Sequence, residues 1–275
     1  MKSHRSKYSL LRKSSRGAAA ALALLALTLV GCRPQQQPDP ASVDRVGLVL
    51  LSQATEVGAP AGQATFVELT TKRAEELMGS PFGAQVGTCD VSAAAAPTGG
   101  SVIGAPSGNR LLAGTIQLLT GATDYGSLER GPDGRYSLPA ALAPLPTDGL
   151  SLQLAATGAF PAFNNVTVAT GKTPTLQGFD AANITVNTRF GWTPGGANSA
   201  IILVGSDGTV AFSCVADDSL GAFSFPEATR AELTNAGFGT GSLDTLGRLT
   251  TTQARASSAL LVVGALRLVN LGTEP

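Results

Sequence analysis

Hydrophobic residues in this chain occur in short runs separated by glycine, proline, asparagine and aspartate. The runs are rich in valine, isoleucine, threonine, leucine and phenylalanine, and long patterns of helical period are scarce. Short runs punctuated by turn-forming residues are typical of all-β proteins. The pattern predicts strands over residues 45–52, 64–70, 87–91, 111–120, 136–138, 149–156, 166–169, 184–190, 200–204, 209–215, 221–225 and 258–270, the last with a break near Gly264. It favours one short helix, over residues 72–78.

The first apolar run, residues 18–30, follows six basic residues and no acidic ones. This arrangement is typical of a secretory signal rather than of a membrane-spanning helix, which needs about 20 apolar residues. The run ends in Leu29-Val30-Gly31-Cys32, which resembles the bacterial lipobox. The resemblance implies that Cys32 is acylated and becomes the first residue of the mature protein. An ordinary signal peptide that happens to contain a cysteine is the alternative.

Two later segments share the pattern Gly-x-aromatic-Ser-apolar-Pro-x-Ala. They begin at Gly134 and Gly221, 87 residues apart. A period near 90 matches one β-sandwich module of about 100 residues, although chance similarity between two hairpin ends is the alternative. We therefore predict an all-β fold of two packed Ig-like β-sandwich modules. The predicted organisation is a signal peptide (1–31), a lipidated Cys32 with a flexible tether (32–42), a first module (43–172) and a second module (173–275).

The predicted mature part is acidic. Six of the 19 basic residues lie in the signal segment, so 13 remain against 19 acidic residues, and the net charge is about −6. Without a basic patch to offset phosphate repulsion, nucleic-acid binding by electrostatics is excluded. The remaining lysines and arginines form no cluster for lipid headgroups. Attachment to the membrane is therefore expected through the N-terminal lipid.

The only histidine, His4, is removed with the signal. Imidazole is the base of Ser-His-Asp and Cys-His catalysis and a common ligand of zinc, copper and iron, so these chemistries are excluded. What remains is a pair of carboxylates acting as in a glycosidase, or calcium on oxygen ligands. We expect neither enzymatic activity nor a cofactor, with calcium as the alternative.

Two cysteines remain once Cys32 is acylated. Cys89 and Cys214 would lie in an oxidising compartment, and we interpret them as one disulfide. Two buried free thiols are the alternative.

Several short motifs occur along the predicted mature chain. They are Gly87-Thr88-Cys89-Asp90, Gly134-Arg135-Tyr136, Gly191-Trp192-Thr193-Pro194, and Cys214-Val215-Ala216-Asp217-Asp218 followed by Phe223, Phe225 and Pro226. With the lipobox, they resemble a loose group of uncharacterised bacterial secreted lipoproteins with Ig-like or carboxypeptidase-regulatory-like sandwich modules. The resemblance implies a β-rich envelope protein and a Cys89–Cys214 bond, and it implies no reaction.

Four residues are candidates for ligand binding. Trp192, the only tryptophan, could stack on a sugar ring, but the structural interpretation, a core residue of the second module, is favoured. Asp207, Asp217 and Asp218 could bind calcium, or they could satisfy the amides of their own turns.

These features lead to a functional expectation. The chain is expected to be a non-enzymatic, lipid-anchored envelope protein with a structural or protein-interaction role, periplasmic or surface-facing. Arg33 follows the lipidated cysteine, where an aspartate would resemble inner-membrane retention, so delivery to the outer membrane is preferred. A ligand-binding module for cell-wall glycan or calcium is the alternative, and a carboxylate-dependent glycosidase is a further one.

Overall fold

The structure is a computed structural model that describes residues 43–54, 58–70, 85–93, 108–132, 134–139, 142–196 and 198–271. Runs rich in β-branched residues and leucine form most of it. The predicted signal peptide, Cys32, the tether and the predicted helix at 72–78 lie outside these residues. No helix in the described ranges has both the length and the apolar character needed to cross a membrane.

The described strands number fifteen. They are β1 (Arg45–Gln53), β2 (Ala61–Glu68), β3 (Thr88–Ala93), β4 (Asn109–Arg110), β5 (Ile116–Thr120), β6 (Thr123–Arg130), β7 (Tyr136–Ser137), β8 (Leu150–Leu154), β9 (Phe163–Val168), β10 (Arg189–Gly191), β11 (Ser199–Ser206), β12 (Val210–Asp217), β13 (Ala222–Ser224), β14 (Ser242–Ala256) and β15 (Ala259–Asn270). One α-helix, α1 (Glu227–Ala236), and a short 3-10 helix (Asp218–Leu220) accompany them. The all-β prediction is confirmed.

Thirteen of these strands form one mixed sheet. Its order is β3-β12-β11-β14-β15-β1-β2-β7-β6-β5-β8-β9, with β4 paired to β2, while β10 and β13 form a separate ribbon. Every pairing is antiparallel except β1 with β15, which are parallel. Because β9 also contacts β14 and β15, the sheet folds over itself as a sandwich.

The hairpin of β14 and β15 is the longest element. Its register runs without interruption from Ala256↔Ala259 to Thr245↔Asn270. The predicted break near Gly264 is therefore wrong: Gly264 is paired to Leu50 on one side and Thr251 on the other. A glycine weakens an isolated strand, but here both neighbouring strands supply the hydrogen bonds that keep it extended.

Two buried cores lie on one face of this hairpin. The first core contains Ala259, Leu261, Val263 and Ala265 of β15 together with Ile116, Leu118, Leu150, Leu152, Leu154, Phe160 and Phe163. The second core contains Leu246 of β14 together with Ile184, Phe190, Trp192, Ile201, Phe212, Phe225 and Leu233. A third cluster occupies alternate positions of the same strands, such as Leu249, Leu260, Val262 and Leu266, which point to the opposite face.

The predicted module boundary at 172/173 separates most of these core residues but not the strands. Residues before it supply most of the first core and residues after it most of the second. The strands of the two halves nevertheless belong to one sheet, because β1 pairs with β15 and β3 with β12. All described residues also lie in one compact unit, Pro40–Pro275. The halves thus share a sheet instead of each forming its own.

The second half differs from the predicted elements at three places. The longest strand, β14, is not among the predicted strands. Of the strand predicted at 184–190, only β10 (Arg189–Gly191) forms, and Ile184 makes an isolated bridge to Gly241. Helix α1 is not among the predicted elements; it follows Pro226, ends at Ala236 before Gly237 and contacts β3.

Candidate functional site

A row of polar side chains crosses the sheet between the first and second cores. Gln53 of β1 is paired with Arg267 of β15, and Arg267 is paired with Arg248 of β14. All three are buried, with exposed fractions of 2%, 5% and 4%. Because paired residues point to the same face of a sheet, these three side chains interrupt the apolar face that carries the two cores. We call this row the polar seam.

Arg267 is held by acceptors from three segments. Its guanidinium donates to the carbonyl oxygens of Leu145 (2.7 Å) and Thr170 (3.3 Å) and to Gln53 Oε1. Gln53 Oε1 also accepts from the Leu145 N–H, at 2.9 Å. Burial raises the pKa of Tyr125, and the positive charge of Arg267 opposes that shift. The bonds of Arg267 and Gln53 to Leu145 and Thr170 fix the loop before β8 and the loop after β9 to the middle of the sheet.

Arg248 forms a buried ion pair with Asp218, which is fully buried. The Arg248 Nε donates to Asp218 Oδ2 at 2.7 Å and the Nη2 donates to Oδ1 at 3.2 Å. The remaining bonds of the guanidinium go to backbone carbonyls, to that of Lys172 from Nη1 (2.7 Å) and to that of Thr193 from Nη2. Two charges removed from water are tolerated only when their other hydrogen bonds are also satisfied.

The other contacts of Asp218 satisfy that condition. Its Oδ1 accepts from the Gly195 N–H at 3.1 Å, and its Oδ2 accepts from the Ser199 hydroxyl at 2.7 Å. An added Cβ at Gly195 would lie 2.1 Å from Asp218 Oδ2 and 2.7 Å from Arg248 Nε. Glycine at position 195 is therefore what allows the backbone to approach the ion pair.

A cavity of about 380 Å³ opens beside the ion pair. It lies between the segment after β9 and the segment that leads into β11. Its lining includes Lys172, Arg248, two glycines of the second segment (Gly195 and Gly196) and five hydroxyl residues, which are Thr173, Thr175, Thr193, Ser199 and Thr250. The volume falls near the lower end of the usual range for small-ligand sites, about 300–1,000 Å³.

Trp192 lies in the second core and not on a surface. It is 1% exposed, and its indole Nε1 donates to the backbone carbonyl of Asp218 at 3.1 Å. The ring is therefore not available for stacking on a sugar. It supports the 3-10 helix that carries the carboxylate of the ion pair.

Asp207 satisfies the turn between β11 and β12. Its Oδ1 accepts from the backbone N–H groups of Thr209 and Val210, both at 2.8 Å, and its Oδ2 accepts from the Gly239 N–H at 2.8 Å. These bonds, the one from Gly239 first, hold the pKa of Asp207 well below its usual range.

Asp217 and Asp218 lie at the other end of β12, about 25 Å along the strand from Asp207. Asp217 Oδ1 accepts from the Ser219 hydroxyl and backbone N–H, which lowers the pKa of Asp217. Asp218 is neutralised by Arg248. The structure therefore does not bring the three candidate calcium ligands together. In the part of the chain that the structure describes, no group of three histidine, cysteine, aspartate or glutamate side chains could hold a metal ion.

Cys89 and Cys214 form the predicted disulfide. They are directly opposite each other in the pairing of β3 with β12, with Cα atoms 4.0 Å apart and sulfur atoms 2.05 Å apart. The bond fixes β3, at the end of the sheet order, to the body of the sheet.

The sequence indicates the residues of the ion pair only in part. It identifies Asp218 as a possible calcium ligand, whereas nothing in the motifs singles out Arg248, Arg267 or Gln53. One signal is present, the single arginine at position 267 in the apolar run 259–269. Isolated charges in such segments are buried only when they are paired.

The fold and the seam define an all-β protein whose two cores share one sheet and are divided by buried arginines. Comparison with protein-family models, with curated proteins and with solved structures returned no match for this chain.

Proposed function

We propose that this chain is a non-enzymatic envelope protein, lipid-anchored through Cys32, with a structural or protein-interaction role. The lipobox-like Leu29-Val30-Gly31-Cys32 and the preceding basic and apolar segments support the envelope location and the lipid anchor. The similarity of the motifs around Cys89, Trp192 and Cys214 to secreted bacterial lipoproteins agrees with it.

The observation that carries the interaction role is the terminal strand β3. Four of its six residues are exposed and the other two are half-buried. Among the described strands it pairs with β12 alone, so its outer edge has no strand partner there. Helix α1 contacts β3 but does not pair with it. A strand edge without a strand partner presents backbone groups to which an extended segment of another protein can add as a further strand. The Cys89–Cys214 bond keeps this edge in place.

The candidate functional side chains support the same proposal. Trp192, Asp207, Asp217 and Asp218 all use their polar atoms inside the fold. Each of these groups therefore stabilises the scaffold that presents the edge. We propose an extended segment of an envelope protein as the partner.

The test is photocrosslinking in intact cells. A photoreactive residue is placed at Ser92, an exposed position of β3, and in a second strain at Asn164, an exposed position of β9. We expect one defined protein adduct from Ser92, none of the same mass from Asn164, and loss of the adduct when Cys32→Ser removes the anchor. Equal labelling from both positions would contradict the role of β3. A hydrolytic activity that is lost with a mature-chain carboxylate would contradict the non-enzymatic role.

A further inference from the structure

We propose that the cavity beside the Arg248–Asp218 ion pair is a binding site for a sugar acid, a molecule of monosaccharide size that carries both hydroxyl groups and a carboxylate. The inference rests on the charges, the hydroxyls and the open volume of the cavity. It does not depend on the lipid anchor or on the role of β3.

The charge of the lining selects an anion. Among the described residues that line the cavity, only Lys172 and Arg248 are ionisable, and both are cationic. Asp218 is not among the lining residues; its carboxylate is fully buried and accepts from Arg248, Gly195 and Ser199. A second guanidinium, that of Arg267, lies on the neighbouring strand directly opposite Arg248. With the Asp218 carboxylate counted against Lys172, Arg248 and Arg267, the charge of these groups remains net positive.

Arg248 retains a donor for that anion. A guanidinium has five N–H groups, and four of them are used: Nε for Asp218, both of Nη2 for Thr193 and Asp218, and one of Nη1 for Lys172. The second N–H of Nη1 has no acceptor in the described chain. Hydrogen bonds from a guanidinium to a carboxylate are stronger than neutral ones, so this donor suits a ligand carboxylate.

Thr250 provides a second, independent indication. It is 7% exposed, yet its hydroxyl makes no hydrogen bond within the described chain. Every fully enclosed side-chain nitrogen or oxygen atom of that chain does have a partner. The Thr250 hydroxyl is therefore not enclosed: it faces the cavity, whose lining includes it. A hydroxyl that opens into the cavity and bonds to no other described residue is available to a polar group of a ligand.

The rest of the lining suits the hydroxyl-bearing body of the ligand. Three more threonines surround the cavity, Thr173, Thr175 and Thr193, together with Ser199, whose hydroxyl donates to Asp218 and can only accept from a ligand. Hydroxyls both donate and accept, which matches the alternating requirements of sugar hydroxyl groups. Because no described lining residue is aromatic and Trp192 is buried in the core, recognition would come from hydrogen bonds and not from ring stacking.

The probes are glucuronic acid, glucose and acetate, titrated calorimetrically into the purified full-length protein. Glucuronic acid carries both parts of the proposed ligand, glucose lacks the carboxylate and acetate lacks the hydroxylated body. We expect glucuronic acid to bind at least tenfold more tightly than either of the others. Equal affinity for glucose would overturn the role of the charge, equal affinity for acetate the role of the hydroxyls, and absence of binding by all three the site itself.

Three variants and one matched control locate the binding. Gly196→Leu fills the cavity from a position where an added Cβ has no atom within 4 Å. Its matched control is Gly158→Leu, at a second position with no atom within 4 Å and outside the lining. We expect Gly196→Leu to abolish glucuronic acid binding and Gly158→Leu to leave it unchanged.

Lys172→Met removes the charge of an exposed residue, and Thr250→Val removes the hydroxyl at constant shape. Each is expected to weaken binding about fivefold to tenfold, with the melting temperature unchanged for Lys172→Met. Unaltered affinity in Gly196→Leu and in both of these variants would overturn the proposal, even if the protein bound the probe elsewhere.

Discussion

Arg248 of β14 and Arg267 of β15 are directly opposite each other in the central hairpin, and both are buried. Like charges at opposed positions of a sheet destabilise it. Here each guanidinium is surrounded by oxygen acceptors, backbone carbonyls for both and the Asp218 carboxylate for Arg248. The segments that supply these oxygens come from both halves of the chain. The arginine pair therefore joins the two halves at the point where an apolar core would otherwise be continuous.

The contributions of Arg248 and Asp218 to the free energy of unfolding should be strongly coupled. Arg248→Met leaves a buried carboxylate without its counter-charge, and we expect the free energy of unfolding to fall by about 3–5 kcal/mol. Asp218→Asn should also destabilise, because it removes the counter-charge of a buried guanidinium. In the double variant both charges are gone, so the loss should be clearly smaller than the sum of the two single losses. Urea unfolding of the four proteins measures this, and additive losses would contradict the coupling.

Gly195 should tolerate no side chain. Gly195→Ala would place a Cβ 2.1 Å from Asp218 Oδ2, which forces the ion pair or the backbone to move. Overpacking of this kind typically costs about 1–3 kcal/mol. The neighbouring Gly196→Ala has no atom within 4 Å of its added Cβ and is the matched control. Thermal unfolding of both variants tests this expectation, and equal melting temperatures would show that the contact is not limiting.

The sequence was sufficient for the fold class because strands are local features. Leu150, Leu152 and Leu154 alternate along β8 and point to one core, and such alternation is visible without any knowledge of the fold. Strand β14 was missed for the opposite reason. Arg248, Thr250 and Gln253 interrupt its apolar pattern, and the partners that make Arg248 acceptable inside the protein come from distant segments.

The candidate site was predictable only in part for the same reason. Turn chemistry at Asp207 depends on its immediate neighbours, Thr209 and Val210, and the sequence indicated it as an alternative to calcium binding. The ion pair depends on β12 and β14 being brought to either side of β11, since Asp218 and Arg248 are 30 residues apart. Only the register of the assembled sheet places them together.

The Cys89–Cys214 bond should matter most for β3. The bond closes a loop of 125 residues, and removing it with Cys89→Ser and Cys214→Ala should lower the free energy of unfolding by about 2–5 kcal/mol. Amide hydrogen exchange should rise more in Thr88–Ala93 than in β1 or β15, because β3 has one described strand neighbour and these two have two each. Uniform acceleration across the sheet would contradict a local role for the bond.

Asp207 should give the protein a stability that depends on acid pH. Its folded-state pKa is depressed by the N–H groups of Gly239, Val210 and Thr209. A carboxyl group of this kind stabilises the fold fully above its unfolded-state pKa, about 3.9, and the contribution is lost as the pH falls through the folded-state pKa. Asp207→Asn should therefore destabilise the protein at neutral pH, and its difference from the wild type should shrink progressively below about pH 4.

The matched control is Asp90→Asn, at an exposed aspartate of β3 whose carboxylate makes no hydrogen bond in the described chain. Urea unfolding midpoints of the three proteins, measured from neutral pH down to about pH 3, separate the two positions. The side-chain amide that Asp207→Asn introduces has one oxygen, and its NH₂ group cannot accept a hydrogen bond as the second carboxylate oxygen does. The loss of stability at neutral pH should therefore occur in Asp207→Asn and not in Asp90→Asn. A difference from the wild type that stays constant across this range would show that the hydrogen bonds of Asp207 do not depend on its charge.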